Sequence, residues 1–420
     1  MASRQRKAFI IINLIGILII AVAGIFSPAM VGKLLSSSGS IGDANLIQEI
    51  NFARIILGAL GLGILFFGKK LASLFATNYY LGFFSCFFFW GFLWIGLELN
   101  FKLALDSQRG TNVTKVQGKE PVNRKITDDV LGYKPPPGAS ISDVKAKPDY
   151  VIYEATYNHN ALSQRKANFD ETMVGKYNDF ALFFGDSITY GSGVEDNETF
   201  SARFAEAKPG LKSFNLGVQG YGPQQMLAFL EDDNKVSELK AYMKTFGQLD
   251  SGSCRCLIFT FIDDHFSRAS GSMRIVQYGG SFPYYEEDSH GELIRNGNFL
   301  TGRPLTTRLY RLIGRSYIVQ HFGFDLPTTH TENAVDLTAK IIGKSKKIFK
   351  EKFGSDRFYF FYYPGSKPVH GFLEKLKEQG VEVLDHSAMP WDKSHQFKGD
   401  AHPNPHGHKT LSDAMVKGIL

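Results

Sequence analysis

Two short polar stretches hold residues whose types suit nucleophilic catalysis. Ser187, in the sequence "GDSIT", follows the apolar run 181–184, so it stands where a buried strand would end. Asp400 and His402 lie two residues apart in "KGDAHPNPHGH". An imidazole can take the proton of a serine hydroxyl while a carboxylate fixes the tautomer of the ring. These residues therefore predict a serine nucleophile, a histidine base and an aspartate partner.

Both stretches also have interpretations without catalysis. Ser187 could belong to an ordinary strand-to-helix turn, and "DAHPN" could be a turn that caps the helix after it. A third interpretation is a metal site formed by His402, His406 and His408. No cysteine or carboxylate cluster with ligand spacing accompanies these histidines, so a metal site is the weakest of the three.

The elements around these residues predict where they lie. From about residue 178, apolar runs alternate with helix-like segments, which is typical of a parallel sheet covered by helices on both faces. Sites in such sheets lie at the carboxyl ends of the strands. Ser187, Gly220, Asp263 and Asp264 all follow predicted strand ends. The predicted strands are "DFALFFGD", "LKSFNLGV", "CLIFTFID", "RFYFFYYPG" and "VEVLDHS".

Three apolar runs in the first hundred residues predict a membrane anchor. Ala8–Gly32 carries no charge and is long enough to cross a hydrocarbon core of about 30 Å. Ile55–Gly68 is shorter, but the basic residues at its ends can reach the interface. Tyr79–Leu97 is a third uncharged run. We expect three spans, and the alternative for the first run is a cleavable signal peptide.

Charge predicts the orientation of these spans and excludes one class of partner. Arg4, Arg6 and Lys7 precede the first span, which favours a cytoplasmic N-terminus. Three crossings then place the C-terminal domain outside the cytoplasm, whereas a non-crossing Ile55–Gly68 would leave it inside. The net charge of +6 is spread along the chain with no basic run interleaved with aromatics, so nucleic acid is not an expected partner.

The expected division of the chain has three parts. Residues 1–99 form the membrane anchor, and the polar, proline-rich stretch 100–150 is a connector and lead-in. Residues 151–420 form the α/β domain.

Taken together, the motifs resemble those of the GDSL/SGNH hydrolase superfamily. "GDSIT" at Gly185–Thr189, "NLGVQGYG" at Asn215–Gly222 and "DAHPN" at Asp400–Asn404 are similar to its first, second and last blocks, in the same order. The resemblance covers roughly residues 125 to 420. It implies a flavodoxin-like three-layer α/β/α domain and ester chemistry without a metal or other cofactor.

The resemblance also implies a role for each matching residue. Ser187 would be the nucleophile, His402 the base and Asp400 its orienting partner. The backbone N–H groups of Ser187 and Gly220 would form part of the oxyanion hole, for which Gly217 is the less fitting choice.

The third block departs from the superfamily pattern, in which an asparagine side chain donates to the oxyanion. This chain has "FIDDH", and Asp263 takes the place of the asparagine. An ionised aspartate only accepts hydrogen bonds, and losing one oxyanion donor costs about 10²–10³ in turnover. Either Asp263 is protonated, or His265 or Asn215 donates instead, or the enzyme is weak.

These inferences predict a membrane-anchored serine esterase or O-acyltransferase that works through an acyl-serine intermediate. We expect it to contact the lipid bilayer, to act on an acyl ester or glycan substrate, which is a glycan or lipid of the cell envelope, and to have a membrane protein as a further partner. The alternative from another class is a catalytically inactive SGNH-like module that binds glycans or serves as a scaffold in a membrane assembly.

Overall fold

The computed structural model describes residues 2–25, 27, 44–77, 91, 93–103, 105, 113–115, 125–166, 177–247, 252, 254–366 and 368–420. The chain forms two compact units. The first comprises Met1–Gln108 with Ile313–Thr328, and the second comprises Arg109–Leu312 with Thr329–Leu420. Most of the predicted lead-in thus belongs to the second unit, and a short segment from within the predicted α/β domain belongs to the first.

The second unit contains the strands and most of the helices. Its strands are β1 (Val113–Lys115), β2 (Ile126–Asp128), β3 (Gly132–Lys134), β4 (Ser140–Lys147), β5 (Tyr150–Asn158), β6 (Asp179–Phe184), β7 (Leu211–Asn215), β8 (Arg255–Phe261), β9 (Pro283–Glu287), β10 (Leu293–Asn298), β11 (Phe358–Tyr362) and β12 (Glu382–Asp385). Its α-helices are Ser187–Tyr190, Phe200–Glu206, Pro223–Glu231, Asp233–Lys244, Asp264–Ser270, Val276–Gly279, Phe299–Gly302, Pro304–Ile313, Glu332–Phe353, Phe372–Glu378 and Pro405–Ile419, and 3-10 helices span Asp196–Glu198 and Lys393–His395.

The central sheet is five-stranded and parallel, in the order β12-β11-β8-β6-β7. These are the five strands that the apolar runs predict. Counted along the chain, their order is 2-1-3-4-5, which is the flavodoxin-like order. The predicted α/β fold is therefore confirmed by the topology of the sheet.

Both faces of the sheet are covered, as the continuous apolar runs require. Along β6, Phe180 and Leu182 join a core with helices Pro223–Glu231 and Glu332–Phe353. The alternate residue Phe183 joins a second core with helix Pro405–Ile419. The sheet thus lies between two layers of helices, and the carboxyl ends of its parallel strands lie at one edge.

The lead-in is not a passive connector. Its strands β4 and β5 form an antiparallel hairpin, with β1 paired to the other side of β4. The burial of β5 alternates around Ala155 and Tyr157, as the sequence predicts for a half-buried strand. A shift in the pairing with β4 breaks the alternation near Ile152, which is also buried. The hairpin brings one of its lysines to the site described below.

In the first unit, two helices pack closely, Ala2–Ile25 against Ala44–Thr77. Glycines permit the approach, because a Cβ on Gly61 would lie 2.9 Å from the backbone oxygen of Gly16. Arg54 Nε donates to the Ala23 carbonyl at 2.8 Å.

Of the predicted spans, the first has the clearest counterpart. Within the part of the chain that the structure describes, one helical stretch is long and apolar enough to cross a membrane, Gln5–Gly24. Its position close to the N-terminus fits either an anchor or a signal sequence. Ile55–Gly68 lies inside helix Ala44–Thr77, and Tyr79–Leu97 falls mostly outside the described residues.

The segment Ile313–Thr328 packs within the first unit and contains helix Tyr317–His321. The carboxylate of Glu98 accepts hydrogen bonds from Ser316 Oγ at 2.5 Å and from the backbone N of Tyr317 at 2.6 Å. The ring of Phe101 lies 4.5 Å from that of His321, centroid to centroid.

Candidate active site

A sharp turn at the end of β6 presents Ser187. Gly185 has φ +154°, which favours glycine, and a Cβ there would meet the side chain of Thr189. Asp186 then caps the short helix Ser187–Tyr190, its Oδ1 accepting from the backbone N of Ile188 at 3.0 Å. Ser187 is therefore the first residue of a helix, with its side chain at the edge of the sheet.

The structure brings Ser187, His402 and Asp400 into one hydrogen-bonded chain. His402 Nε2 lies 2.9 Å from Ser187 Oγ, and His402 Nδ1 lies 2.5 Å from Asp400 Oδ1. The same carboxylate oxygen also accepts from the backbone N of His402 at 2.8 Å. This arrangement fixes the ring with Nδ1 protonated and Nε2 ready to accept the serine proton.

A fourth residue, Lys145 of β4, binds the other oxygen of Asp400. Its Nζ lies 2.5 Å from Asp400 Oδ2, and the Asp400 side chain is only 3% exposed. Burial opposes ionisation, but hydrogen bonds from His402 and Lys145 outweigh it and hold the pKa of Asp400 well below its usual range. No motif marks Lys145 in the sequence, because the contact joins residues 255 positions apart.

The loop after β7 contains Gly220, whose backbone N–H is one of the predicted oxyanion donors. Tyr133 Oη donates to the Gln219 carbonyl at 2.6 Å. Because the peptide unit is planar and trans, the Gly220 N–H must point away from Tyr133. Gly220 has φ +86°, and a Cβ there would meet the Tyr133 hydroxyl. Gly217 is excluded as a donor because its N–H is bound to Asn215 Oδ1 at 3.0 Å.

Asp263, the residue at the asparagine position, binds to a neighbouring strand. Its Oδ1 accepts from the Tyr362 hydroxyl at 2.6 Å. Burial raises the pKa of Asp263, and the bond from Tyr362 opposes this rise. Among the described residues, the Asp263 side chain has no hydrogen bond with Ser187 or Gly220, so the structure leaves its oxyanion role as a prediction.

The two alternative donors, Asn215 and His265, are both buried. The Asn215 amide donates to the Thr189 carbonyl at 2.8 Å and to Ser201 Oγ at 3.1 Å, and the side chain is fully buried. His265 is also fully buried, and desolvation lowers its pKa to about 4. Its Nε2 lies 3.7 Å from Asp186 Oδ2. Of the three candidates, only Asp263 retains exposed surface.

A buried ion cluster holds the acid of "GDS" in place. Arg268 Nη1 donates to Asp186 Oδ2 at 2.9 Å and to the Tyr221 carbonyl at 2.6 Å. Arg268 Nε also binds Asp264 at 2.9 Å. Burial opposes the ionisation of Asp264, but Arg268 and Arg274 outweigh it and lower its pKa. Asp264 therefore stays negative beside Asp263, which adds to the raised pKa of Asp263.

A second buried cation, Arg165, fixes the loop that follows the serine helix. Its Nε donates to Asp196 Oδ1 at 3.0 Å, and Nη1 donates to the Tyr190 carbonyl at 2.6 Å. Further bonds run to the carbonyls of Gly191 and Val194. Its side chain is fully buried. Sequence reasoning missed Arg165, since an arginine in "ALSQRKAN" resembles a surface residue.

The other two histidines of "HPNPHGH" have separate environments. His408 is fully buried, its Nδ1 accepts from the backbone N of Phe200 at 3.2 Å, and desolvation lowers its pKa to about 3. The ring of His406 stacks on that of His395, with centroids 4.8 Å apart. Within the described residues, no group of three or more His, Cys, Asp or Glu side chains is placed to hold a metal ion.

Comparison with known proteins gave structural matches only, since no family model and no curated protein matched the sequence. TesA is similar at a TM-score of 0.31 and 11% identity, covering 58% of this chain and 100% of its own. A G-D-S-L lipolytic protein from Veillonella parvula is similar at a TM-score of 0.31 and 12% identity, and the match covers 57% of this chain and 96% of that protein. A catalytic mutant of Axe2, an acetylxylan esterase from Geobacillus stearothermophilus, is similar at a TM-score of 0.30 and 11% identity. That match covers 59% of this chain and 96% of the esterase chain.

Proposed function

We propose that this chain is a serine ester hydrolase of the GDSL/SGNH type. The observation that carries the proposal is the hydrogen-bonded chain from Ser187 Oγ through His402 to Asp400, with distances of 2.9 and 2.5 Å. An isolated serine at a turn needs no such alignment. The alignment is formed jointly by a buried strand, the capped turn that follows it and a loop that is distant in sequence.

The reaction follows from these contacts. Ser187 Oγ attacks the ester carbonyl while His402 Nε2 takes its proton, and Asp400 stabilises the imidazolium that forms. The N–H groups of Ser187 and Gly220 bind the developing oxyanion. His402 then gives the proton to the leaving alcohol, which leaves an acyl group on Ser187. Water activated by His402 releases the acid and restores the serine.

The proposal also extends to the acceptor of the acyl group and to the location of the protein. A glycan hydroxyl in place of water would make the same intermediate an O-acyltransferase. The apolar helix Gln5–Gly24 supports attachment to the lipid bilayer. With Ile55–Gly68 and Tyr79–Leu97 as further spans, the protein would be multi-pass, with the catalytic unit in the periplasm or outside the cell. Its substrates there would be acyl esters of envelope glycans or lipids, and a membrane protein would be its partner.

Covalent labelling with a serine-reactive fluorophosphonate tests the chemistry. We expect the purified full-length protein to be labelled, and mass mapping to place the adduct on Ser187. Ser187→Ala should lose the label, since it removes the nucleophile and little else. Ser140→Ala, a change at an exposed serine of β4, is the matched control and should label normally. A folded wild-type protein that resists labelling would favour the inactive glycan-binding or scaffold module.

A further inference from the structure

Helix Pro304–Ile313 presents its apolar face away from the unit that carries it. Leu305, Leu309 and Leu312 are 80%, 53% and 67% exposed. At 3.6 residues per turn they lie within about 60° of one another, so they form one stripe. Thr307 lies on the opposite side of the helix and is fully buried.

The buried side of this helix is held by polar contacts and by the ring of Tyr310, which packs against the core. Thr307 Oγ1 donates to the Phe299 carbonyl at 2.6 Å. Gln277 Nε2 donates to the Tyr310 carbonyl at 3.1 Å. A surface helix of a globular protein normally turns its apolar stripe inward and its polar side outward. In this helix the leucine stripe faces outward instead, so it can contact an apolar phase outside the unit.

Two features indicate what that phase is. Arg308 and Arg311 of the same helix lie to one side of the stripe, the first exposed and the second partly exposed, as in a helix that lies in a bilayer interface with basic residues toward the headgroups. The chain also passes directly from this helix into Ile313–Thr328, which packs in the unit that contains Gln5–Gly24. The helix is thus tethered by a few residues to the part of the chain with the membrane-spanning character.

We propose that helix Pro304–Ile313 lies in the interface of a bilayer with anionic headgroups, its leucine stripe among the acyl chains. This inference rests on the membrane attachment proposed above. Such a helix enters about 5–10 Å beyond the headgroup boundary. The catalytic unit would then be held against the membrane surface at a second point, and its orientation toward membrane-borne esters would be restricted.

Depth-dependent fluorescence quenching in liposomes tests the inference on the full chain. A Cys86→Ser background leaves Cys254 and Cys256, which are fully buried. Single labels are then placed through Leu309→Cys on the stripe, Ile15→Cys in the apolar N-terminal helix and Lys417→Cys on an exposed surface of the second unit. Lipids carrying a quencher near the headgroup or near the chain end report depth.

We expect shallow quenchers to act most strongly on the Leu309 label and deep quenchers on the Ile15 label, with neither acting on Lys417. A quenched Ile15 label with an unquenched Leu309 label would overturn the inference while membrane attachment stands. A Leu309 label that is shielded from water but not quenched by lipid would assign the stripe to protein, either this chain or a second copy. An unquenched Ile15 label would reject the attachment and the inference with it.

Discussion

Among single residues, Lys145 changes the electrostatic setting of His402, the proposed catalytic base. Its ammonium group offsets the charge of Asp400, which is nearly inaccessible to water. Asp400 therefore draws the proton of the imidazolium less strongly than an unpaired carboxylate would. Lys145 touches no reacting atom, so it acts as a positioning residue through Asp400.

Removing this charge should change the pH profile. In Lys145→Met, the uncompensated Asp400 carboxylate would hold a proton on His402 more tightly, and the acid limb of kcat/KM would move to higher pH. We expect the limb to move by on the order of one pH unit. A shift of that size corresponds to about 1.36 kcal/mol of interaction free energy. Lys145→Arg keeps the charge and should restore the wild-type limb. An unmoved limb in the methionine variant would show that the pair is only structural.

Asp263 offers a second change at the residue scale. In Asp263→Asn, the Tyr362 hydroxyl would bind the amide oxygen, as it binds Oδ1 now at 2.6 Å. The amide N–H₂ would then replace Oδ2 and could donate to the oxyanion. Ester turnover at neutral pH should rise, by up to about 10²–10³.

The pH dependence of Asp263→Asn gives the decisive comparison. The raised pKa of Asp263 means that the carboxyl group is protonated, and able to donate, below that pKa. Wild-type activity should therefore fall as the pH rises through it, and the asparagine variant should lack this fall. Unchanged or lower turnover in a folded variant would exclude Asp263 from the oxyanion hole.

At the scale of elements, buried arginines join loops that the sequence presents as separate. Arg165 binds Asp196 and three backbone carbonyls, one at the end of the serine helix and two after it. Arg268 likewise joins the "GDS" turn to helix Asp264–Ser270. The turn that presents Ser187 is thus fixed from both sides by charge.

Arg165→Met should destabilise the second unit, because Asp196 would keep a buried charge without its partner. Loss of one member of a buried pair costs about 3–5 kcal/mol, which chemical unfolding of the purified protein can measure. Lys350→Ala is the control, since Lys350 and Asp356 are both mostly exposed and such pairs contribute about 0–1 kcal/mol. Equal effects in the two variants would contradict the proposed role of Arg165.

Whether a feature shows in a local stretch of sequence or only in contacts between distant residues explains what could be predicted from the sequence. The five parallel strands are short apolar runs, so burial on both faces reveals them one at a time. Ser187, Asp400 and His402 lie beside predicted strand ends or in a polar motif. Lys145 and Arg165 could not be found in this way, because their partners are distant in sequence and surface lysines and arginines are common. The outward leucine stripe of Pro304–Ile313 contradicts the usual inward pattern and gave no separate signal.

For the whole molecule, the proposed membrane crossings decide on which side of the membrane the second unit would lie. Three crossings from a cytoplasmic N-terminus place it outside. A reporter that is active only outside the cytoplasm, fused after Leu420, should therefore be active. Activity of a cytoplasm-only reporter at the same position would show an even number of crossings and place the unit inside.

The distances along the chain within the active site have a consequence for its biosynthesis. Ser187 precedes His402 by 215 residues, and Lys145 precedes Asp400 by 255. A growing polypeptide therefore carries the proposed nucleophile long before the proposed base has been translated. Under the proposed mechanism the serine would stay unreactive through most of synthesis, and hydrolytic competence would begin only when the last strand and the loop after it have docked on the sheet.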